Sequence, residues 1–77
     1  MNRQEALILI LAGETVRARQ ASYLRSFPHK ERALFRWNFE NQIIEWDRFQ
    51  TGHWRQSRNS FFLVSEFELM QKPKEQK

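Results

Sequence analysis

Arginine dominates the side chains here that could do chemistry: nine of the thirteen basic residues are Arg, and none of the 77 residues is Cys. A guanidinium is planar and permanently charged, and its N–H fork fits carboxylate or phosphate oxygens two at a time, which suits binding better than proton transfer. From Arg17 to Arg36 six basic residues (Arg17, Arg19, Arg25, Lys30, Arg32, Arg36) face one acid, Glu31, a local charge of +5. Aromatic rings fall among and beyond them, at Tyr23, Trp46 and Trp54. Cations interleaved with rings can clasp an anion and stack a flat group at one place. The candidate residues for binding a ligand or partner are therefore Arg17, Arg19, Tyr23, Arg25, Arg36, Trp54 and Arg55. The competing reading of the basic run is a solvated surface.

Catalytic spacings are missing. Asp47 is the sole Asp, and there is no glycine-rich loop, no His pair at i and i+4, and no Cys nucleophile. His29 follows Pro28 and His53 follows Gly52, each alone in a polar stretch, and Ser22, Ser57 and Ser60 have no neighbours that would activate a hydroxyl. Two isolated histidines without cysteine do not fill a metal shell. The expectation is a non-enzymatic protein with no cofactor and no metal.

The formal charge of +4 is unevenly placed. From Gln71 onward Lys72, Lys74 and Lys77 outweigh Glu75 by two, which leaves +2 over residues 1–70. Non-specific affinity for nucleic acid comes mainly from neutralised phosphates, so a near-balanced body argues against that partner. A small basic nucleic-acid-binding protein is kept as the alternative. Leu7 to Ala12 is an apolar run of six, far short of the roughly 20 residues needed to span a bilayer, and nothing resembles a signal peptide. Together with the missing cysteine, this points to the cytoplasm and to no membrane partner.

The elements that must position these residues can be read from capping, alternation and turns. Asn2 and Glu5 resemble a capping box, and Gly13 stands where a C-cap glycine belongs, which predicts a helix over about 3–12. Ile8, Leu9, Ile10 and Leu11 would coat most of its circumference. Thr15 to Arg19 alternates as a half-buried strand, and Pro28 marks a loop. Phe35, Trp37 and Phe39 alternate with Arg36, Asn38 and Glu40, and Ile44 and Trp46 flank Glu45, which predicts a hairpin. Its turn is Glu40-Asn41, or a four-residue loop in the same register. Either way Trp37 pairs with Ile44, Phe35 with Trp46 and Arg36 with Glu45, all compatible pairs; a one-residue slip loses the Arg–Glu match. Asp47 to Ser60 reads as a long loop, with one helical turn capped by Asp47 as an option. Phe61 to Met70 reads as the last strand. Trp37 and Trp46 are assigned to the inward face and Trp54 to an exposed place. The fold class is α+β: a short N-terminal helix on a three- or four-stranded antiparallel sheet, one domain over 1–70, with 71–77 a disordered basic tail.

A chain this short has a small margin between burial and ordering entropy. With disulfides and metals closed, self-association is the remaining supplement, so a homo-oligomer is expected. A dimer through the N-terminal helix or an edge strand is the favoured form.

Glu5-Ala6-Leu7, Leu11-Ala12-Gly13 and Val16-Arg17 resemble the opening of a group of small phage-encoded proteins, among them the second family of Thoeris anti-defence proteins. The resemblance covers residues 5–17. It implies a helix-plus-sheet plan, a phage accessory role against a host process, and non-catalytic sequestration of a nucleotide-derived signal in pockets built by oligomerisation. It implies pocket-facing positions for Arg17 and, more loosely, Tyr23. A Trp usual in that family shortly after the basic strand is absent here, where Gln20, Ala21, Ser22 and Tyr23 stand. The other function expected from the same inhibitor reading is blockade of a host protein.

Overall fold

Asn2 opens the first element by accepting the Glu5 N–H on its side chain at 2.8 Å, while the Glu5 carboxylate accepts the Asn2 N–H at 3.0 Å. This reciprocal box satisfies two donors that a helix start leaves unpaired. In the computed structural model, which describes residues 1–21 and 32–70, helix α1 runs Arg3–Leu11 and closes at Ala12. Gly13 follows with φ +97°, the left-handed backbone that glycine takes without a Cβ clash.

The chain then builds five strands: β1 (Val16–Ala21), β2 (Leu34–Asn38), β3 (Ile43–Asp47), β4 (Arg55–Gln56) and β5 (Val64–Leu69). They form one antiparallel sheet in the order β4-β3-β2-β1-β5. The α+β class stands, with one strand more than expected, because the stretch read as loop contributes the two-residue β4. Two residues are too few to show alternation, so nothing in the pattern announces it.

The hairpin has the expected register: Phe35 opposes Trp46, Arg36 opposes Glu45 and Trp37 opposes Ile44. Its connection is the four-residue form, Phe39 to Gln42. The Asn38 side chain accepts the Glu40 and Asn41 N–H groups at 2.9 and 3.0 Å, and Gln42, not Asn41, takes the left-handed backbone at φ +56°. An Asn at the first position of such a turn mimics a backbone acceptor, which fixes the turn without a glycine.

The last segment departs from the expectation of one strand over 61–70. Ser60–Leu63 is a 3-10 helix and the strand starts at Val64. Along β1 and β5 the pairs run Val16–Leu69, Arg17–Glu68 and Ala18–Phe67, then shift on either side of Gln20 to Ala21–Val64. The shift lets Val64 and Phe67, three residues apart, both be buried, which a strict two-residue period forbids.

Ala6 and Ile10 of α1 pack with Val16, Ala18, Ala33, Phe35, Phe61, Val64 and Phe67 on one face of the sheet. Phe35 is the hub, 5.5 Å from Phe61, 5.8 Å from Phe67 and 6.0 Å from Trp46 between ring centroids. Helix α1 lies over β5, β2 and β1. Trp37, Ile44 and Trp46, farther from it, are only partly buried. Both sheet edges are partly covered: Met1 pairs with Phe67 on the open side of β5, its terminal ammonium donating at 2.7 Å and its carbonyl accepting at 2.8 Å, and the edge strand β4 is only two residues long. Among the described residues, no helix is long and apolar enough to cross a membrane.

Candidate functional site

Two arginines of the expected basic stretch are held by carboxylates. Arg17 on β1 is gripped by Glu68, its cross-strand partner on β5, with Nε donating at 2.6 Å and the second nitrogen also on Glu68 Oε2. With Glu68, Leu69 and Met70 it lines a shallow depression. Arg36 on β2 donates Nε to Glu45 at 3.0 Å, and its guanidinium carbon lies 4.0 Å from the Trp54 ring centroid. Asn38 completes the group, donating to the other Glu45 oxygen at 2.9 Å. That amide donor holds the Glu45 carboxyl below the usual carboxylate range, against burial, which pushes it up, and with Arg36 adding to the lowering. Arg19 is exposed, and its carbonyl accepts from Arg32. Tyr23, Arg25 and the tail from 71 onward lie outside the described residues.

Cross-strand partners share a face of a sheet. Arg36, Glu45, Gln56 and the ring of Trp54 over Arg36 therefore belong to the face away from the aromatic core. Arg55 opposes Trp46, which stacks on Phe35, and so belongs to the core face. The five expected residues that are described are thus not brought into one pocket: Arg17 and Arg36 are held in ion pairs, Trp54 covers Arg36, and Arg55 stands on the other side of the sheet.

A different set of residues meets at Arg55. From Arg48 to Arg58 the chain carries three arginines and no acid. The acid just before them, Asp47, is only 2% exposed and serves the backbone. Its carboxylate accepts the Thr51 N–H at 2.9 Å and the Gly52 N–H at 2.7 Å, and its carbonyl accepts the Gln50 N–H at 3.3 Å. Gln50 and Gly52 take left-handed backbone, φ +57° and +87°, which curls the loop back over its own start. The Gln50 side chain then donates to the Arg32 carbonyl at 2.7 Å and pins the loop to the chain ahead of β2.

The loop held in this way encloses a cleft of about 320 Å³ lined by Trp46, Asp47, Arg48, Phe49, Thr51, His53 and Arg55. The Arg48 guanidinium lies 5.0 Å from the Phe49 ring centroid and 5.9 Å from that of Trp46. Among the described residues neither Arg48 nor Arg55 has an ion-pair partner, in contrast to Arg17 and Arg36. The arrangement offers two guanidinium groups, an imidazole and two rings to a single small volume, a chemistry of anion capture.

The sequence reading included Arg55 but not Arg48, Phe49 or the cleft role of Trp46; His53, alone in its polar stretch, is exposed at the cleft. The acid-free run from Arg48 to Arg58 was the available signal; the denser run over 17–36 outweighed it. Among the described residues, no group of three or more His, Cys, Asp or Glu side chains lies together in a way that could hold a metal ion. No family model, curated protein or solved structure matches the chain.

Proposed function

We propose that this is a non-enzymatic binding protein that inhibits a host process by sequestering a nucleotide-like anionic ligand. The observation that supports the reading is the cleft beside β4, where Arg48 and Arg55 stand without acidic partners next to aromatic rings. Arg17 and Arg36 are spent on carboxylates, whereas Arg48 and Arg55 are exposed at one cleft with no ion-pair partner among the described residues, so both forks are open to an anion. The setting implied by the resemblance is a phage accessory factor acting against host defence in the host cytoplasm. Blockade of a host protein belongs to the same reading and nucleic-acid binding to the alternative one.

A second copy of the chain is the partner we assign to α1. Leu7, Ile8 and Leu11 lie on its outer side, with Ile8 63% exposed, while Ala6 and Ile10 face the core. With the sheet edges partly covered and β4 short, this apolar helix face favours a homodimer through α1 over edge-strand pairing.

Recovery of ligand tests the function. The protein is incubated with a nucleotide mixture, re-isolated by gel filtration and denatured, and the released small molecules are identified by mass spectrometry. Sequestration requires a bound nucleotide released chemically unchanged. Release of a converted product contradicts the non-enzymatic reading, and an empty protein contradicts ligand capture.

A further inference from the structure

We propose that the cleft is a claw for a terminal phosphate, in which Arg48 and Arg55 supply the donors and the rings of Trp46 and Phe49 hold Arg48 in place. This rests on the anionic-ligand reading above and specifies how the ligand is held. The point is not obvious from the sequence, where rings near arginines suggest a base stacked on a ring. Here one cation already lies against both rings, the Arg48 guanidinium carbon standing 5.0 Å from the Phe49 centroid and 5.9 Å from that of Trp46. A guanidinium held by its face keeps its N–H edge available, and that edge matches two oxygens of a phosphate.

Arg55 meets the same space from β4. Its Cα partner is Trp46, so its side chain leaves the sheet on the side of the Trp46 ring. Asp47 also lines the cleft, but it is 2% exposed and its carboxylate accepts the Thr51 and Gly52 N–H groups, with no ion pair to either arginine among the described residues. Two guanidinium forks in one cleft match the three free oxygens of a terminal phosphate better than the two of an internal phosphodiester. The volume, about 320 Å³, sits at the lower end of the range for small-molecule sites and suits a phosphorylated small molecule. Asp47 and Gln50 act on the claw as positioning residues, through the loop that carries Arg48 and Phe49.

Calorimetric titration of the full chain with pyrophosphate, ADP and adenosine tests the proposal. ADP and pyrophosphate are expected to bind within a few-fold of each other, with no heat from adenosine. Arg48→Gln and Arg55→Gln should each weaken both phosphates roughly tenfold, with far-ultraviolet circular dichroism unchanged because both side chains are exposed. Phe49→Leu should weaken pyrophosphate too, a loss that a ring stacking on a base does not explain. If ADP and adenosine bind equally and the arginine changes are silent, the claw is wrong while the nucleotide reading survives. If none of the three binds at millimolar concentration, both are wrong. An oligonucleotide without terminal phosphates that displaces pyrophosphate would assign the cleft to a nucleic-acid backbone and overturn the terminal-phosphate claim.

Discussion

Arg36 and Arg55 sit on neighbouring parts of one sheet and differ in what surrounds the guanidinium. Arg36 has a carboxylate held by a second donor, Asn38, and a ring above it, so its charge is spent on the fold. The Glu45 carboxyl is lowered chiefly by the Asn38 amide, which sets the sign of its pH dependence. A carboxyl whose folded pKa lies below its unfolded value stabilises the fold above the unfolded pKa, and the contribution is lost as pH falls through the folded one. Thermal unfolding at neutral pH and near pH 3 should show a drop for the native chain and a smaller drop for Glu45→Gln. At neutral pH that variant should be less stable by about 1 kcal/mol. Trp54→Ala removes the ring over Arg36 and should also cost about 1 kcal/mol, yet pyrophosphate binding should be unchanged, since Trp54 faces away from the cleft. A loss of binding on Trp54→Ala would place the site on the wrong side of the sheet.

At the scale of elements, the hairpin was legible and the loop after it was not, for physical reasons. Phe35, Trp37, Ile44 and Trp46 alternate with polar residues, and Arg36 opposite Glu45 excludes a slipped register, so short-range pattern and pairing agree. The loop from Arg48 to Trp54 has no period. It is organised by one side chain, Asp47, whose partners are backbone N–H groups that the sequence does not display. The start of β5 was misread because Phe61, Phe62 and Leu63 look like strand continuing into Val64, whereas the register shift beside Gln20 moves the inward positions to Val64 and Phe67. Asp47→Asn tests the loop. Its amide nitrogen cannot accept the N–H that the lost oxygen took, and losing this part-buried bond should cost about 1 kcal/mol. Pyrophosphate affinity should fall with it, while the Arg36–Glu45 side of the sheet should keep its amide chemical shifts.

At the largest scale, the described residues form one α-helix on a five-stranded sheet whose core centres on Phe35, with the rings of Trp46, Phe61 and Phe67 against it. Phe35→Ala should cost about 3–5 kcal/mol, a large part of the stability of so small a chain, and should appear as a fall in the denaturant midpoint. Ile8→Glu separates folding from assembly. Ile8 is exposed, so the change should leave the midpoint nearly unmoved but turn a dimer into a monomer in sedimentation velocity; a native chain that sediments as a monomer at all concentrations would remove the dimer. The most direct measurement of the central claim is chemical-shift mapping of the ¹⁵N-labelled chain titrated with ADP. Anion capture in the cleft requires the largest shifts at the amides of Trp46 to Arg55 and at the guanidinium N–H groups of Arg48 and Arg55. Shifts centred on Arg17 and Arg19, or none at saturating ADP, would contradict it.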